Sequence, residues 1–214
     1  MIIVLLSLTA ALILLDKYAF GEFGISQPLI AGTILGALFG NLEAGIFIGA
    51  MLQLIFLAGL PIGREIPPDG QSGGIIGVGS YLLLRASNAP GHALLAAVLF
   101  ALIGALIGGQ MEIVTRRFNE KMYRGFLRSQ TCLARCHLLG ILTAFIRGLA
   151  VVIPFFVISY LVTIPPSLPT LDRSLLMTIS ISIGFANGLY LFFKRSKIIY
   201  IIAGVLCGLV SVVL

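Results

Sequence analysis

Pro61-Ile62-Gly63-Arg64-Glu65-Ile66-Pro67-Pro68-Asp69-Gly70-Gln71-Ser72-Gly73-Gly74 sets charges, prolines and glycines between two apolar runs, Ala44 to Leu60 and Gly73 to Leu84. Pro67 and Pro68 have no amide hydrogen to donate, and Gly70, Gly73 and Gly74 admit unusual backbone angles, so a helix must break here and leave carbonyls and amides free. Non-helical backbone between apolar segments is tolerated at membrane depth only where protein or a watery cavity surrounds it. The runs on either side, and Pro28 to Gly40 before them, are too short to be ordinary spans. Short, Gly- and Pro-interrupted apolar segments are the best sequence pointer to a binding site at the bilayer midplane.

Outward from that stretch, the apolar runs are Met1 to Leu15, Pro28 to Gly40, Ala44 to Leu60, Gly73 to Leu84, His92 to Val114, Leu138 to Ile164, Ser174 to Phe193 and Ile198 to Leu214. The 214 residues are 59% hydrophobic and 10% charged, with a mean hydropathy of +1.11. Soluble domains are about 45–50% apolar and about 25% charged. The expected fold is an all-α polytopic membrane protein of about six to eight apolar segments, some of them short, broken or re-entrant. The first run lacks the basic start of a signal peptide and reads as a retained span. No linker separates two compositions, so residues 1–214 read as one membrane domain.

The net charge of +6 does not point to nucleic acid, because seven of the fourteen Lys and Arg residues lie between Arg116 and Arg147: Arg116, Arg117, Lys121, Arg124, Arg128, Arg135 and Arg147. The positive-inside rule makes residues 115–137 a basic cytoplasmic loop, or an amphipathic helix on anionic membrane lipid. Pro165 to Arg173 then falls outside and Lys194 to Lys197 inside. Three cysteines make no disulfide framework. Cys132, Cys136 and His137 are spaced one residue too far apart for haem attachment, so no metal and no cofactor are expected.

The free backbone groups of the broken stretch lie beside Gln53, Glu65, Asp69 and Gln71. Carboxylates and amides suit a polyhydroxylated ligand, because each oxygen accepts from neighbouring hydroxyls while an amide also donates. An ordinary turn with Arg64 and Asp69 as a solvated pair explains the same residues. Gln53 sits inside an apolar run, so it needs a partner or a cavity, and Asn187 follows the same logic. Glu112 and Arg147, near span ends, are expected to snorkel or pair. Gly32, Gly36 and Gly40, then Gly45 and Gly49, then Gly104 and Gly108 recur at four-residue spacing, which suits close helix packing and leaves association of copies into a homo-oligomer open. No nucleophile, base and orienting group combine, so catalysis by this chain alone is not expected.

Gln27-Pro28-Leu29-Ile30-Ala31-Gly32-Thr33, followed by Gly40-Asn41-Leu42-Glu43-Ala44-Gly45-Ile46-Phe47-Ile48-Gly49-Ala50-Met51-Leu52-Gln53, resembles the IIC membrane subunit of the mannose/fructose/sorbose family of the bacterial sugar phosphotransferase system. Ile62-Gly63 and Pro67-Pro68-Asp69 look like that family's Ile-Gly and Ala-Pro-Asp signature. The resemblance implies a multi-pass permease of the bacterial cytoplasmic membrane that binds and translocates a hexose. It implies as partners a IID-like membrane subunit and the cytoplasmic IIA and IIB phosphocarrier proteins, which hold the phosphoryl-carrying histidines. Carried over residue by residue, Gln53, Ile62, Gly63, Pro68 and Asp69 fall on sugar-site or signature positions. The family commonly has Glu in place of Gln53 and Asn in place of Pro61. Those departures keep two alternatives in play, a phosphorylation-independent transporter or channel and a non-transporting regulatory or scaffolding component.

Overall fold

The computed structural model describes residues 1–57, 68–129, 133–193 and 197–213. Among these residues eight α-helices follow the apolar runs: α1 (Ile2–Leu15), α2 (Pro28–Leu38), α3 (Leu42–Ile55), α4 (Gly70–Leu84), α5 (Pro90–Ser129), α6 (Leu133–Leu161), α7 (Arg173–Phe193) and α8 (Lys197–Val213). A π-helical turn, Asp16–Phe20, continues α1. The chain is thus all-helical among its described residues. Among the described residues, three helical stretches are long and apolar enough to cross a membrane: Ile2–Phe20, Pro90–Leu127 and Ala134–Leu161. Large apolar side chains along them, such as Val4, Leu12, Leu99, Ile103, Leu106, Ile146 and Ile158, face outward. In water such a surface would aggregate, and in lipid it is solvated.

α2 and α3 form a hairpin whose contact is made by main chain. Pro28 opens α2 at a position where its missing N–H is harmless. Gly40, with φ +79, makes the turn, and the Asn41 side chain caps α3 by accepting from Ala44 N at 3.2 Å. Gly32 and Gly36 of α2 meet Gly45 and Gly49 of α3 so closely that a Cβ on Gly32 would lie 2.6 Å from the Gly45 carbonyl oxygen. The four-residue glycine spacing is therefore packing, apart from Gly40, which belongs to the turn. Gly104 and Gly108 of α5 do the same for α4, against Ile76 and against Asp69 and Ser72.

Nearly all of α4 is buried, from Gln71 to Leu84 except Leu82. It packs against α1, α2, α3, α5 and α6, and the ring of Phe156, fully buried on α6, lies against Gly79. α7 attaches to α3 through Asn187, which donates to the Ile55 carbonyl at 3.1 Å, and α8 packs on α7. Interhelical bonding is thus what Asn187 does.

Residues 115–129, read from sequence as a loop or amphipathic helix, are the C-terminal part of α5, and α6 begins at Leu133. The loop alternative is corrected for those residues: the apolar run ends at Val114, but no Pro follows to stop the helix. Pairs four residues apart, Glu112 with Arg116 and Glu120 with Arg124, support its continuation. At 1.5 Å per residue the forty residues of α5 reach about 60 Å, roughly twice a hydrocarbon core of about 30 Å.

At the other end of the molecule Arg173 pairs with Glu43 and lies 5.3 Å from the centroid of the Phe47 ring. Both side chains are more than half exposed, 54% and 76%. Arg173→Ala is expected to shift stability by less than about 1 kcal/mol, read as a thermal midpoint in detergent nearly unchanged from the parent.

Candidate functional site

The polar centre of the molecule lies where α4 begins. Asp69, 1% exposed, caps α4 by accepting from Ser72 N at 3.3 Å, and its own amide donates to the Ala105 carbonyl of α5 at 2.8 Å. Its carboxylate also accepts from Lys17 Nζ at 2.9 Å, from Arg147 Nη2 at 3.2 Å, and from the hydroxyls of Tyr18 and Ser72. Arg147 donates through Nη2 to the Gly108 carbonyl at 2.6 Å, and its guanidinium stacks on the Tyr18 ring, 3.7 Å from the centroid. Glu112 lies 3.8 Å from Lys17. Two cations thus face two carboxylates, the arrangement a charge needs if it is to be stable away from water.

Lys17 and Tyr18 reach Asp69 because of how α1 ends. The π-helical turn widens the helix and offsets these side chains from the α1 register. The chain then reverses through Gly21 and Gly24, with φ +105 and +95. The Asp16 carboxylate holds the reversal by accepting from the amides of Phe23, Gly24 and Ser26 at 2.9, 3.1 and 3.0 Å and from the Ser26 hydroxyl at 3.0 Å.

Beside the charges sits a set of amides. Gln53 near the end of α3 donates from Nε2 to Gln27 Oε1 at 2.9 Å, and its Oε1 accepts from Leu29 N at 3.4 Å. Gln71 in the first turn of α4 donates to Glu22 Oε1 at 3.0 Å. Pro28 lies against both Gly49 and Gly74, and Phe56 lies against Gly70 and Gly73. The starts of α2 and α4 and the end of α3 therefore converge. Such helix starts carry amides with no intrahelical acceptor. Among the described residues, buried Gln71 Oε1 and buried Arg147 Nε and Nη1 have no hydrogen-bond partner. Tyr18 also lines a cavity of about 460 Å³ with Asn119, Tyr123, Cys136 and His137, toward the end of the molecule where α5 and α6 join.

Gln53, Asp69 and Gln71 are brought to this convergence, and Pro68 lies just before it, exposed. Ile62, Gly63 and Glu65, with Pro61 and Arg64, lie outside the described residues. Asp69 is not half of a solvated pair: it is buried among Lys17, Tyr18, Ser72 and Arg147. Arg147 is not near a span end either. It lies midway along α6, 3% exposed, and pairs with Asp69, and Glu112 pairs with Arg116. Glu22, Gln27, Lys17 and Tyr18 escaped the sequence reading. Arg147 was visible as the one charge inside Leu138 to Ile164, the signature of a functional intramembrane residue.

A site with amides as both donors and acceptors beside a neutralised charge cluster can hold a neutral, hydroxyl-rich molecule and carries no nucleophile–base set among these residues. Similarity to known proteins identifies the family of the chain. The chain is 29% identical to the mannose-specific EIIC component of the phosphotransferase system of Escherichia coli (strain K12) over 99 residues, 46% of this chain and 36% of that protein. It is 28% identical to the sorbose-specific EIIC component of Klebsiella pneumoniae over 142 residues, 66% of this chain and 52% of that protein. These matches span about a third to a half of the relatives' length. A cryo-EM structure of the mannose transporter ManYZ in complex with a microcin shares the fold, with a TM-score of 0.58 at 21% identity, covering 99% of this chain and 76% of that one. Residues 1–212 match the family described as the sorbose-specific IIC component of the phosphotransferase system, and the chain, an integral multi-pass membrane protein, belongs to that family.

Proposed function

We propose that the chain is the sugar-translocating IIC subunit of a phosphoenolpyruvate-dependent phosphotransferase system in the bacterial cytoplasmic membrane. It binds a hexose at the convergence of α2, α3 and α4 and releases it toward the end where α5 and α6 join. A IID-like membrane subunit completes the transporter, and cytoplasmic IIA and IIB proteins phosphorylate the sugar. The observation that carries this reading is the Gln27–Gln53 pair at the start of α2 and the end of α3, against which the start of α4 packs through Pro28 and Gly74 and brings Gln71, whose Oε1 has no partner among the described residues. Family membership supports it, and the cavity behind Tyr18 supports the direction of release. Ile62, Gly63, Glu65 and Pro68 remain candidate contributors to the same site on the strength of the sequence.

The test is uptake of radiolabelled mannose, fructose and sorbose by cells expressing the chain with its neighbouring genes, with the product assayed for phosphate. One sugar is expected to arrive phosphorylated. Gln53→Ala is expected to raise its half-saturating concentration about tenfold, the loss of roughly 1.4 kcal/mol for one good hydrogen bond in a buried site. Uptake of unmodified sugar without phosphoenolpyruvate would replace this reading by a phosphorylation-independent transporter. Absence of any uptake, with protein in the membrane, would favour a regulatory or scaffolding component.

A further inference from the structure

Asp69 stands at a signature position, yet its carboxylate is saturated. Two oxygens offer about four lone-pair sites, and Lys17, Tyr18, Arg147, the Ser72 hydroxyl and the Ser72 amide already converge on them. No acceptor capacity is left for a ligand hydroxyl. The same residue ties three elements to the start of α4: the π-helical turn through Lys17 and Tyr18, α5 through the Ala105 carbonyl, and α6 through Arg147. Arg147 is in turn anchored to α5 by the Gly108 carbonyl and clamped by the Tyr18 ring. Gln71, two residues beyond Asp69 in the first turn of α4, has an acceptor oxygen with no partner among the described residues.

We propose that Arg147 and Lys17, acting through Asp69, are positioning residues that lock the first turn of α4, so that Asp69 orients the sugar-facing Gln71 without touching the sugar. This deepens the proposed function and rests on it for the identity of the ligand. A carboxylate that touches a sugar hydroxyl controls how tightly the sugar is held. One that orients a helix start controls how often the site is assembled, and its loss lowers turnover at unchanged apparent affinity.

The experiment uses the full chain expressed with its neighbouring genes: uptake is read with Pro68 and the native cysteines in place, and labelling in a parallel set with Cys132, Cys136 and Cys207 replaced by Ser and a reporter Pro68→Cys at the exposed residue before the lock. Two quantities are read: uptake kinetics, and the rate at which a maleimide labels the reporter in membranes without sugar. Asp69→Asn and Arg147→Gln are each expected to lower maximal uptake about tenfold, leave the half-saturating concentration within about twofold, and speed labelling severalfold. Arg147→Lys, which keeps the charge, is expected to restore most of both. The Asp69→Asn/Arg147→Gln double variant is expected to be no worse than either single one, because both changes break the same lock.

A raised half-saturating concentration for Asp69→Asn, with labelling unchanged, would make Asp69 a sugar ligand and overturn the proposal. So would Arg147→Gln behaving like the parent in both readouts. If every variant, including Arg147→Lys, fails to reach the membrane, the cluster is a folding element and not a positioning device. Should the parent take up no sugar, the transport reading fails by itself, and the labelling rates still decide whether the lock exists.

Discussion

Gly45→Ala is expected to remove most of the protein from the membrane. The added Cβ would overlap the Gly32 carbonyl oxygen and lie 2.8 Å from Gly36 Cα, and these are backbone atoms that cannot swing aside. α2 and α3 would have to part along their whole seam. Overpacking commonly costs about 1–3 kcal/mol, and a rigid obstacle places this case at or above the top of that range. The loss would also reach the site, since Pro28 and Gln53 are held across the same seam. Membrane-fraction immunoblots and a thermal midpoint in detergent measure the effect. Gly188→Ala on α7, where a Cβ meets nothing within 4 Å, is the control and should match or slightly exceed the parent in stability.

The second large effect is expected for Asp16→Ala. Three backbone amides and the Ser26 hydroxyl all donate to this buried carboxylate, and removing it strands them together. Hydrogen bonds to a charged acceptor are each worth about 1.5–3 kcal/mol, so even with water replacing some of them a loss of about 3 kcal/mol is expected. The loop they hold carries Glu22 and leads into Gln27, so uptake should fall with stability. Asp16→Asn, which keeps one acceptor oxygen, should fall between the two. Limited proteolysis in the 21–26 segment of purified protein, with cleavage much faster in Asp16→Ala than in the parent, is the direct readout.

The helices were legible because the runs that lipid and protein bury are also the runs without breakers, and each ends at a residue with a reason to end it. Asn41 and Asp69 cap, Gly40 turns, and Pro28 and Pro90 sit at helix starts. α5 overran its expected end because hydropathy reports where lipid stops, not where hydrogen bonding along a helix stops. The site was half legible. Gln53, Asp69 and Gln71 stood out as polar residues in apolar or broken surroundings, a local property. Their partners did not, because the Lys17–Asp69 and Arg147–Asp69 pairs join residues 52 and 78 positions apart, and no spacing rule links them. Lys17 carried no signal, and Arg147, expected to snorkel or pair, had no partner that the sequence could name. Both face inward because Asp69 is there.

α4 has almost no surface of its own to offer lipid, and that shapes the order in which the protein can be made. When α4 has been synthesised, α1, α2 and α3 exist, but α5 and α6, which cover much of it, do not. Its Gly- and Ser-rich first turns and the carboxylate of Asp69 must wait for Gly108 and Arg147 to emerge. A nascent chain paused between Leu84 and Arg147 therefore holds a helix whose Asp69 has Lys17 and Tyr18 but not yet Arg147, and whose faces toward α5 and α6 are uncovered. Such an intermediate is the natural target of membrane quality control, which would make degradation of stalled chains most rapid over that interval of translation.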